Sequence, residues 1–500
     1  MKFFIFKVRV IMNKAVDISQ ELTLEALYSE FCKFEEETEV LDSRYAYIWE
    51  GIRLEIFSLL QTQLFHSQRA QDSVKPRNLP LKQKIFTIIA LVGNGMQTMM
   101  RNHFSLKKRM NFDILFISGG RRKKEADDTF WDIYIDPLLD IVGIHQNLLI
   151  EEPYRNAHMI PAKTKNIMYS DDNYIWHMIH FFRSIFVNTS EIGLFFKNIE
   201  SDLNDTFSVT TEIKKLAVRY HELYLFLYGR YWRLLKKIQP KILCVVCGYG
   251  KEPIIQAAKD LCIPTVELQH GIISKYHLGY DIGKGRKQGF CDYLFTFGPA
   301  WVEMANFPIS KDKIIPIGYP YLSTSINKLG SVQKKDQILF ISQGTIGDRL
   351  SEFAVELLRN KPATVLIVYK LHPGEILRWE STYKSLYQAF QNAELEVVVG
   401  DTPSLYQIMA ESKWQIGVNS TALFEGMMFL CKTYIVDLPG KEYVQQMIDQ
   451  GEFSLIPSPH FLDFSYDPDK LKKHRSDFFC DETPERFKNA IKIAMGDRSK

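Results

Sequence analysis

Cysteine is scarce in this chain. Its seven residues (Cys32, Cys244, Cys247, Cys262, Cys291, Cys431 and Cys480) are an odd number spread thinly over 500 positions, which speaks against a disulfide framework and for the reducing cytosol. Cys244 and Cys247 make a lone CxxC inside the apolar run 242–247, with no second CxxC to complete a zinc site. Long hydrophobic runs are missing as well. The stretch 85–92 falls far short of the roughly 20 apolar residues that a membrane-spanning helix needs. The opening MKFFIFKVRVIMNK is interrupted by Lys7 and Arg9 and has no small-residue cleavage site, so it reads as a poor signal peptide, with Met12 as an alternative start. Charge of one sign is not in excess either: 62 Lys and Arg against 59 Asp and Glu leave +3, too little to drive the chain onto nucleic acid, and no nucleic-acid-binding module is present. There is no Walker loop, HExxH or GxSxG, and GYGKEP at 248–253 does not complete the dinucleotide fingerprint.

What is present is a globular balance, 46% hydrophobic and 24% charged residues, at a length that suits two or three domains. Positions 13–110 read as a helical region. Leu24, Leu27, Tyr28 and Phe31 mark one helix face, Ile48, Trp49, Ile52, Ile56, Leu59 and Leu60 a second, and 81–101 a third. The third ends in Arg101, Lys107, Lys108 and Arg109, which with nearby Met and Phe suit peripheral contact with a membrane surface.

From position 111 the texture changes. The short apolar runs DILFIS, NLLIEE, KNIMYS, KILCVVCG, PTVELQHG, DYLFTFG and KIIPIGYP read as buried strands, several separated by helical patterns, which predicts a first doubly wound α/β domain over 111–322. A second series (QILFISQG, TVLIVYKLHPG, LEVVVGD, WQIGVNS, KTYIVDLPG) predicts another over 336–470, followed by a carboxy-terminal helical segment over 471–500. The fold class expected is therefore α/β, two Rossmann-like doubly wound domains behind an amino-terminal helical region.

In such sheets ligands bind beyond the carboxyl ends of the strands, and the chemistry-bearing residues sit there. His270 and Gly271 follow PTVEL, with Lys275 a few residues on; the histidine suits proton transfer, or else a structural bond to a carbonyl. Lys370, His372 and Pro373 follow TVLIVY, a cation and an imidazole suited to a departing phosphate. Asn419, Ser420 and Thr421 follow WQIGV and open a helix carrying Glu425, an arrangement for anion binding with a carboxylate for ribose or sugar hydroxyls. Gln343, Gly344 and Thr345 follow ILFIS as a glycine-bearing loop. The loop Gly119-Gly120-Arg121-Arg122, with Glu125, Asp127 and Asp128 behind it, mixes cations and carboxylates and suits either an anionic acceptor with a general base or a solvated loop.

Taken in order, HGxxxK (His270, Gly271, Lys275), KxHP (Lys370, His372, Pro373) and NST…E (Asn419, Ser420, Thr421, Glu425) resemble the bacterial GT-B glycosyltransferases of capsule and surface-polysaccharide synthesis, polysialyltransferases included, and the related CDP-glycerol glycerophosphotransferases. The resemblance covers roughly 111–470. It implies a cleft between two Rossmann-like domains, the donor nucleotide held mainly by the second. His372 and the Ser420–Thr421 pair would hold the donor phosphates, with Lys370 in support and Gln343, Gly344 and Thr345 nearby. Glu425 and Asn419 would meet ribose or the donor sugar, and the base would be His270 or the Asp127–Asp128 pair. The Asp/Glu-Asp/Glu-Gly motif of polysialyltransferases has no clear counterpart, and Thr421 stands where the teichoic-acid enzymes carry a second serine, which leaves the donor open among CMP-, CDP- and UDP-linked species.

The function implied is metal-independent, inverting transfer of a sugar or polyol phosphate from a nucleotide-sugar or CDP-polyol, with no separate cofactor, to an oligosaccharide or lipid-linked glycan. The expected setting is the cytoplasm, peripherally on the membrane's inner face, without nucleic acid as a partner. Two alternatives stand beside it: an enzyme like the nucleotide-sugar 2-epimerases, and a catalytically inactive scaffold of an envelope-assembly complex.

Overall fold

The structure is a computed structural model that describes residues 23–65, 93, 95–100, 102, 112–142, 147–154, 157–173, 175, 190–282, 288–473, 475–481 and 484–496. The opening segment with Met12, the apolar stretch 85–92, most of the helical stretch expected at 81–101 and the basic residues Arg101, Lys107, Lys108 and Arg109 lie outside them. Among the described residues no helix is long and apolar enough to cross a membrane.

Two parallel sheets organise the chain. The first contains β1 (Ile114–Ser118), β4 (Asn147–Glu151), β5 (Ile167–Tyr169), β6 (Ile242–Val246), β7 (Thr265–Leu268), β8 (Tyr293–Thr296) and β9 (Ile314–Pro316), in the spatial order β5-β4-β1-β6-β7-β8-β9. The second contains β10 (Lys335–Ile341), β11 (Leu366–Lys370), β12 (Glu396–Val398), β13 (Ser412–Gly417), β14 (Lys432–Val436) and β15 (Ser454–Ile456), ordered β12-β11-β10-β13-β14-β15. A small antiparallel hairpin, β2 (Arg122–Lys124) with β3 (Phe130–Asp132), follows β1. In each sheet the winding reverses beside the first strand, between β1 and β6 and between β10 and β13, which creates a crevice at the strand ends. The chain thus holds two Rossmann-like doubly wound α/β halves, as the strand series predicts.

The central strands β1 (ILFIS) and β6 (ILCVV) are buried along their whole length and almost wholly apolar, because both faces are covered. Side-chain alternation divides β1 between two cores, Ile114 and Phe116 on one side and Leu115 and Ile117 on the other, and β6 repeats the division. In β10, Leu339 and Ile341 join the same cluster as Ile114 and Phe116, while Ile338 and Phe340 face a core private to the second domain. One buried apolar cluster therefore takes in a face of each sheet.

The amino-terminal helices form Leu24–Glu37 and Ala46–Phe65, as expected, and pack with helices Ser190–Phe207 and Ile213–Ile238 around Phe31, Trp49 and Phe196. The carboxy-terminal helix Pro484–Met495 caps the first domain, not the second. Its Phe487 meets Phe295 edge-on at 6.3 Å, and upstream Cys480 donates its N–H to the Phe297 carbonyl at 3.0 Å.

Candidate functional site

The strand-end loops of the two domains meet. Thr421, first residue of helix Thr421–Met428, accepts a hydrogen bond on Oγ1 from the Ile272 N–H at 3.2 Å, and a side chain at Gly271 would sit 3.3 Å from the same oxygen. The HG loop after β7 and the NST loop after β13 are thus in direct contact across the cleft. Ser420 is the N-cap, its hydroxyl accepting from the Ala422 N–H at 3.3 Å. The helix start faces the cleft, where its aligned dipoles favour negative charge. Behind it, Gln343 Oε1 accepts from the Asn419 N–H at 3.1 Å, closing the crevice between β10 and β13. Gly344 gives its carbonyl to Arg378 at 3.1 Å, and Thr345 is exposed.

The Lys-Leu-His-Pro-Gly segment continues β11. His372 and Pro373 are exposed, and the His372 ring is oriented by the Gly374 N–H donating to Nδ1 at 3.1 Å. The segment is fixed by Glu375, a fully buried carboxylate absent from the expectations. It accepts from the His372 N–H at 2.7 Å, the Ser342 hydroxyl at 2.9 Å and the Tyr383 hydroxyl at 2.6 Å. Lys370 is buried and donates to the Gly400 carbonyl, and burial lowers its pKa. Its ammonium is thus engaged by backbone as well as standing near Lys123 and Asp401.

Glu425 lies one turn into its helix and faces the first domain. Its charge acts on Arg121, Lys123, Tyr134 and Tyr406. Arg121 is accessible and donates to the Tyr134 hydroxyl at 3.2 Å. Lys123 lies over the rings of Tyr321 at 5.5 Å and Tyr406 at 4.8 Å, one from each domain, and burial lowers its pKa. Arg121 was visible in the sequence as part of a mixed loop. Lys123 and the tyrosines were not, because nothing in a sequence ties β2 to a helix three hundred residues on.

Three expectations are corrected. His270 has no ring nitrogen to spare for a substrate proton: Nε2 is 2.9 Å from the Tyr249 hydroxyl and Nδ1 is 3.3 Å from the Tyr280 hydroxyl. Because Tyr280 donates to Glu267 at 2.8 Å, its oxygen accepts from Nδ1–H, and Nε2 accepts from Tyr249. Burial, reinforced by His277, Arg121 and Lys251, holds the His270 pKa down at about 3, so the ring is neutral and orients its loop, whose carbonyl accepts from Tyr134 at 2.7 Å. Lys275 turns away from the cleft to Glu25, 3.6 Å distant, and lies over the Tyr276 ring. Asp127 and Asp128 form the tip of the β2–β3 hairpin. Both are exposed; Asp127 is held by the Thr129 hydroxyl at 2.7 Å, which lowers its pKa, and Asp128 pairs with Lys124 at 2.7 Å. These bonds build a turn and make a poor base.

The two crevices differ in charge. In the first domain the space beside β1 is filled by ion pairs: Arg122 binds Glu151 at 2.6 Å and Asp136 at 3.1 Å, and Lys251 binds Glu152 at 2.6 Å. In the second domain the crevice is lined by Ser342, Gln343, Asn419 and Ser420, neutral groups at a helix start. Phosphate is favoured at the second and repelled by the carboxylates of the first.

The neutral His270 has a measurable consequence. Its folded pKa lies below the unfolded value of about 6.5, so stability tied to it is complete above that pH and is lost as pH falls from 6.5 toward 3. Denaturant unfolding at pH 7, 6 and 5 should show that His270→Gln flattens the curve by up to one proton, about 1.4 kcal/mol per pH unit. The difference between the two proteins separates this from Asp132, whose carboxyl burial pushes up to about 6 and which titrates with the opposite sign. Parallel curves would show that His270 takes up its proton in the folded chain as it does in the unfolded one, and would overturn the buried, neutral ring.

No family model matches the chain, and no curated protein does. Solved structures do. The chain is similar to a UDP-GlcNAc 2-epimerase from Methanocaldococcus jannaschii (12% identity, 76% of this chain and 98% of that one, TM-score 0.40). It is similar also to the Neisseria meningitidis UDP-GlcNAc 2-epimerase bound to UDP-GlcNAc (11%, 76% and 99%, 0.42) and to an α,α-trehalose 6-phosphate synthase from Burkholderia multivorans (11%, 77% and 93%, 0.38). At these values the likeness is one of architecture, and the chemistry is argued from the site itself.

Proposed function

We propose that the protein transfers a sugar or polyol phosphate from a nucleotide-activated donor to a hydroxyl of a glycan or glycolipid bound in the cleft. The observation that carries this reading is the meeting of the HG loop with the NST helix start at Thr421, beside a phosphate-compatible crevice in one domain and an ion-filled one in the other. The donor phosphates lie at Ser420–Thr421 with His372 beside them, and Glu425 receives hydroxyls of the ribose or sugar. Arg121, Lys123 and Lys370, with the helix start, bring positive charge toward the leaving phosphate, which suits metal-independent transfer. The acceptor enters from the first domain, between Arg121 and the loop after β7. Its hydroxyl oxygen bonds the transferred group as the bond to the nucleotide phosphate breaks, the nucleotide leaves with the bonding pair, and the hydroxyl proton passes to water.

Thermal unfolding against CMP, CDP, UDP, GDP and their sugar conjugates tests the donor site. A ligand at about 100 times its Kd stabilises the fold by about 2.7 kcal/mol, and one base should stand out. A flat panel from folded protein would overturn the donor site and leave the scaffold reading. Free sugar released without any acceptor product would instead mark an epimerase-like reaction.

A further inference from the structure

The loop that leaves β7 does not stand alone. After touching Thr421 it runs back into the amino-terminal helices, where Tyr276 and Leu278 are buried in the same cluster as Phe31 and Trp49. Arg53, on helix Ala46–Phe65, is 1% exposed and donates through Nη1 to the carbonyls of Leu278 at 3.0 Å and Asp281 at 3.1 Å. Its other face is gripped by Glu35, whose oxygens accept from Nε at 2.8 Å and Nη2 at 2.6 Å, while Trp49 Nε1 donates to the same carboxylate at 2.5 Å. From helix Leu24–Glu37, the Tyr28 hydroxyl donates to Asp281 Oδ1 at 2.6 Å, and the other oxygen of Asp281 accepts from the Asn306 N–H at 2.9 Å. Glu50 accepts from the N–H groups of Gln288 and Gly289 at 2.8 and 3.1 Å.

The helix Ala46–Phe65 also reaches the second domain. Gln61 Nε2 donates to the Tyr443 hydroxyl at 3.1 Å. Tyr443 lies three residues past Gly440, where an added side chain would sit 2.5 Å from Asn419 Nδ2. One helix thus touches the loop that carries Gly271 and Ile272 and the loop that backs Asn419. A buried Arg–Glu pair adds little net stability over apolar residues of the same volume, so its use here is better explained by what the fork holds: two backbone carbonyls of a cleft loop.

We infer that helices Leu24–Glu37 and Ala46–Phe65 clamp the cleft loop 271–282, with Arg53 and Tyr28 as positioning residues that set where Gly271 and Ile272 meet Thr421. The inference rests on the cleft being the reacting site. It assigns a role to the part of the chain that the motif resemblance leaves out.

The test uses the full chain with Arg53→Lys, which keeps a cation beside Glu35 but loses the fork, and Tyr28→Phe, which removes one hydroxyl and no volume. Hydrogen exchange of peptides covering 271–282 should quicken by about tenfold in Arg53→Lys and less in Tyr28→Phe, with β10, β11 and β13 unchanged. In the transfer assay kcat should fall by about tenfold while the nucleotide KM stays within about threefold, because the donor sits on the other domain. Unchanged exchange of the loop in both folded variants overturns the clamp, as does unchanged kcat in a variant whose loop has loosened. Should Arg53→Lys fail to fold, Tyr28→Phe carries both readouts. Wild-type protein that binds no nucleotide overturns the donor reading instead, and the exchange arm still decides the clamp.

Discussion

Replacing His372 by alanine is expected to lower turnover by about 10²–10³-fold, the usual loss when one donor to a developing anion is removed, while the protein stays folded. The ring is exposed at the end of β11, so its removal opens no cavity. What fixes the segment is the His372 backbone N–H on Glu375 at 2.7 Å, and the substitution leaves that bond in place. With the Gly374 N–H donating to Nδ1 at 3.1 Å, the ring proton resides on Nε2. The result is a preoriented donor at the carboxyl edge of the second sheet. His372→Gln keeps an N–H donor at similar reach and should recover part of the loss, whereas a ring that merely filled space would not distinguish the two. Lys370 is a less suitable target, because its ammonium is turned to the Gly400 carbonyl and truncating it would disturb the strand end as well. Full turnover in His372→Ala, with unfolding unchanged, would remove this residue from the phosphate site.

The strands were readable because a parallel sheet covered on both faces demands apolar runs, and ILFIS, ILCVV and LIVYK are such runs. The helix Pro484–Met495 was likewise visible, with Phe487, Ala490, Ile491 and Ala494 at helical spacing; the domain it caps was not, since that depends on Phe295 far away in the chain. β15 went unseen because three half-covered residues, Ser454–Ile456, carry too little pattern. The hairpin β2–β3 was hidden by its charges: RKK and the acidic turn look like a solvated loop, although Arg122 is buried with Glu151 and Asp136. Helix Ser190–Phe207 shows Ile192, Phe196, Ile199 and Leu203 on one face, a helical spacing that the sequence itself carries. At the candidate site, reading strand ends singled out Gly271 and Thr421, which the structure brings into contact, and His372, which it leaves exposed at the end of β11. The fate of His270 was not legible. Two tyrosines, Tyr249 from the loop after β6 and Tyr280 from ten residues on, occupy its nitrogens, and only the folded crevice brings all three rings together.

Trp301→Ala should cost about 3–5 kcal/mol of stability, the range for deleting a large aromatic from a packed core, and should weaken nucleotide binding too. Trp301 is fully buried in the short helix Pro299–Glu303 that follows β8, and its Nε1 donates to the Phe478 carbonyl at 2.8 Å. Its ring packs on Phe424 at 4.9 Å and Phe478 at 5.6 Å. One side chain thereby joins the first sheet, the helix that begins at Thr421, and the returning carboxy-terminal segment. Phe424 immediately precedes Glu425, so a cavity at Trp301 leaves the donor-side helix without its inner support. Leu357→Ala provides the contrast. Leu357 is equally buried but lies in the core private to the second domain, on helix Gly347–Asn360; its loss should cost about 2–5 kcal/mol. If the two sheets share a core, nucleotide affinity falls in Trp301→Ala and holds in Leu357→Ala at matched temperature below both transitions. Equal affinities in the two variants would mean that the cleft is set by its loops alone, with the shared apolar cluster serving stability and nothing more.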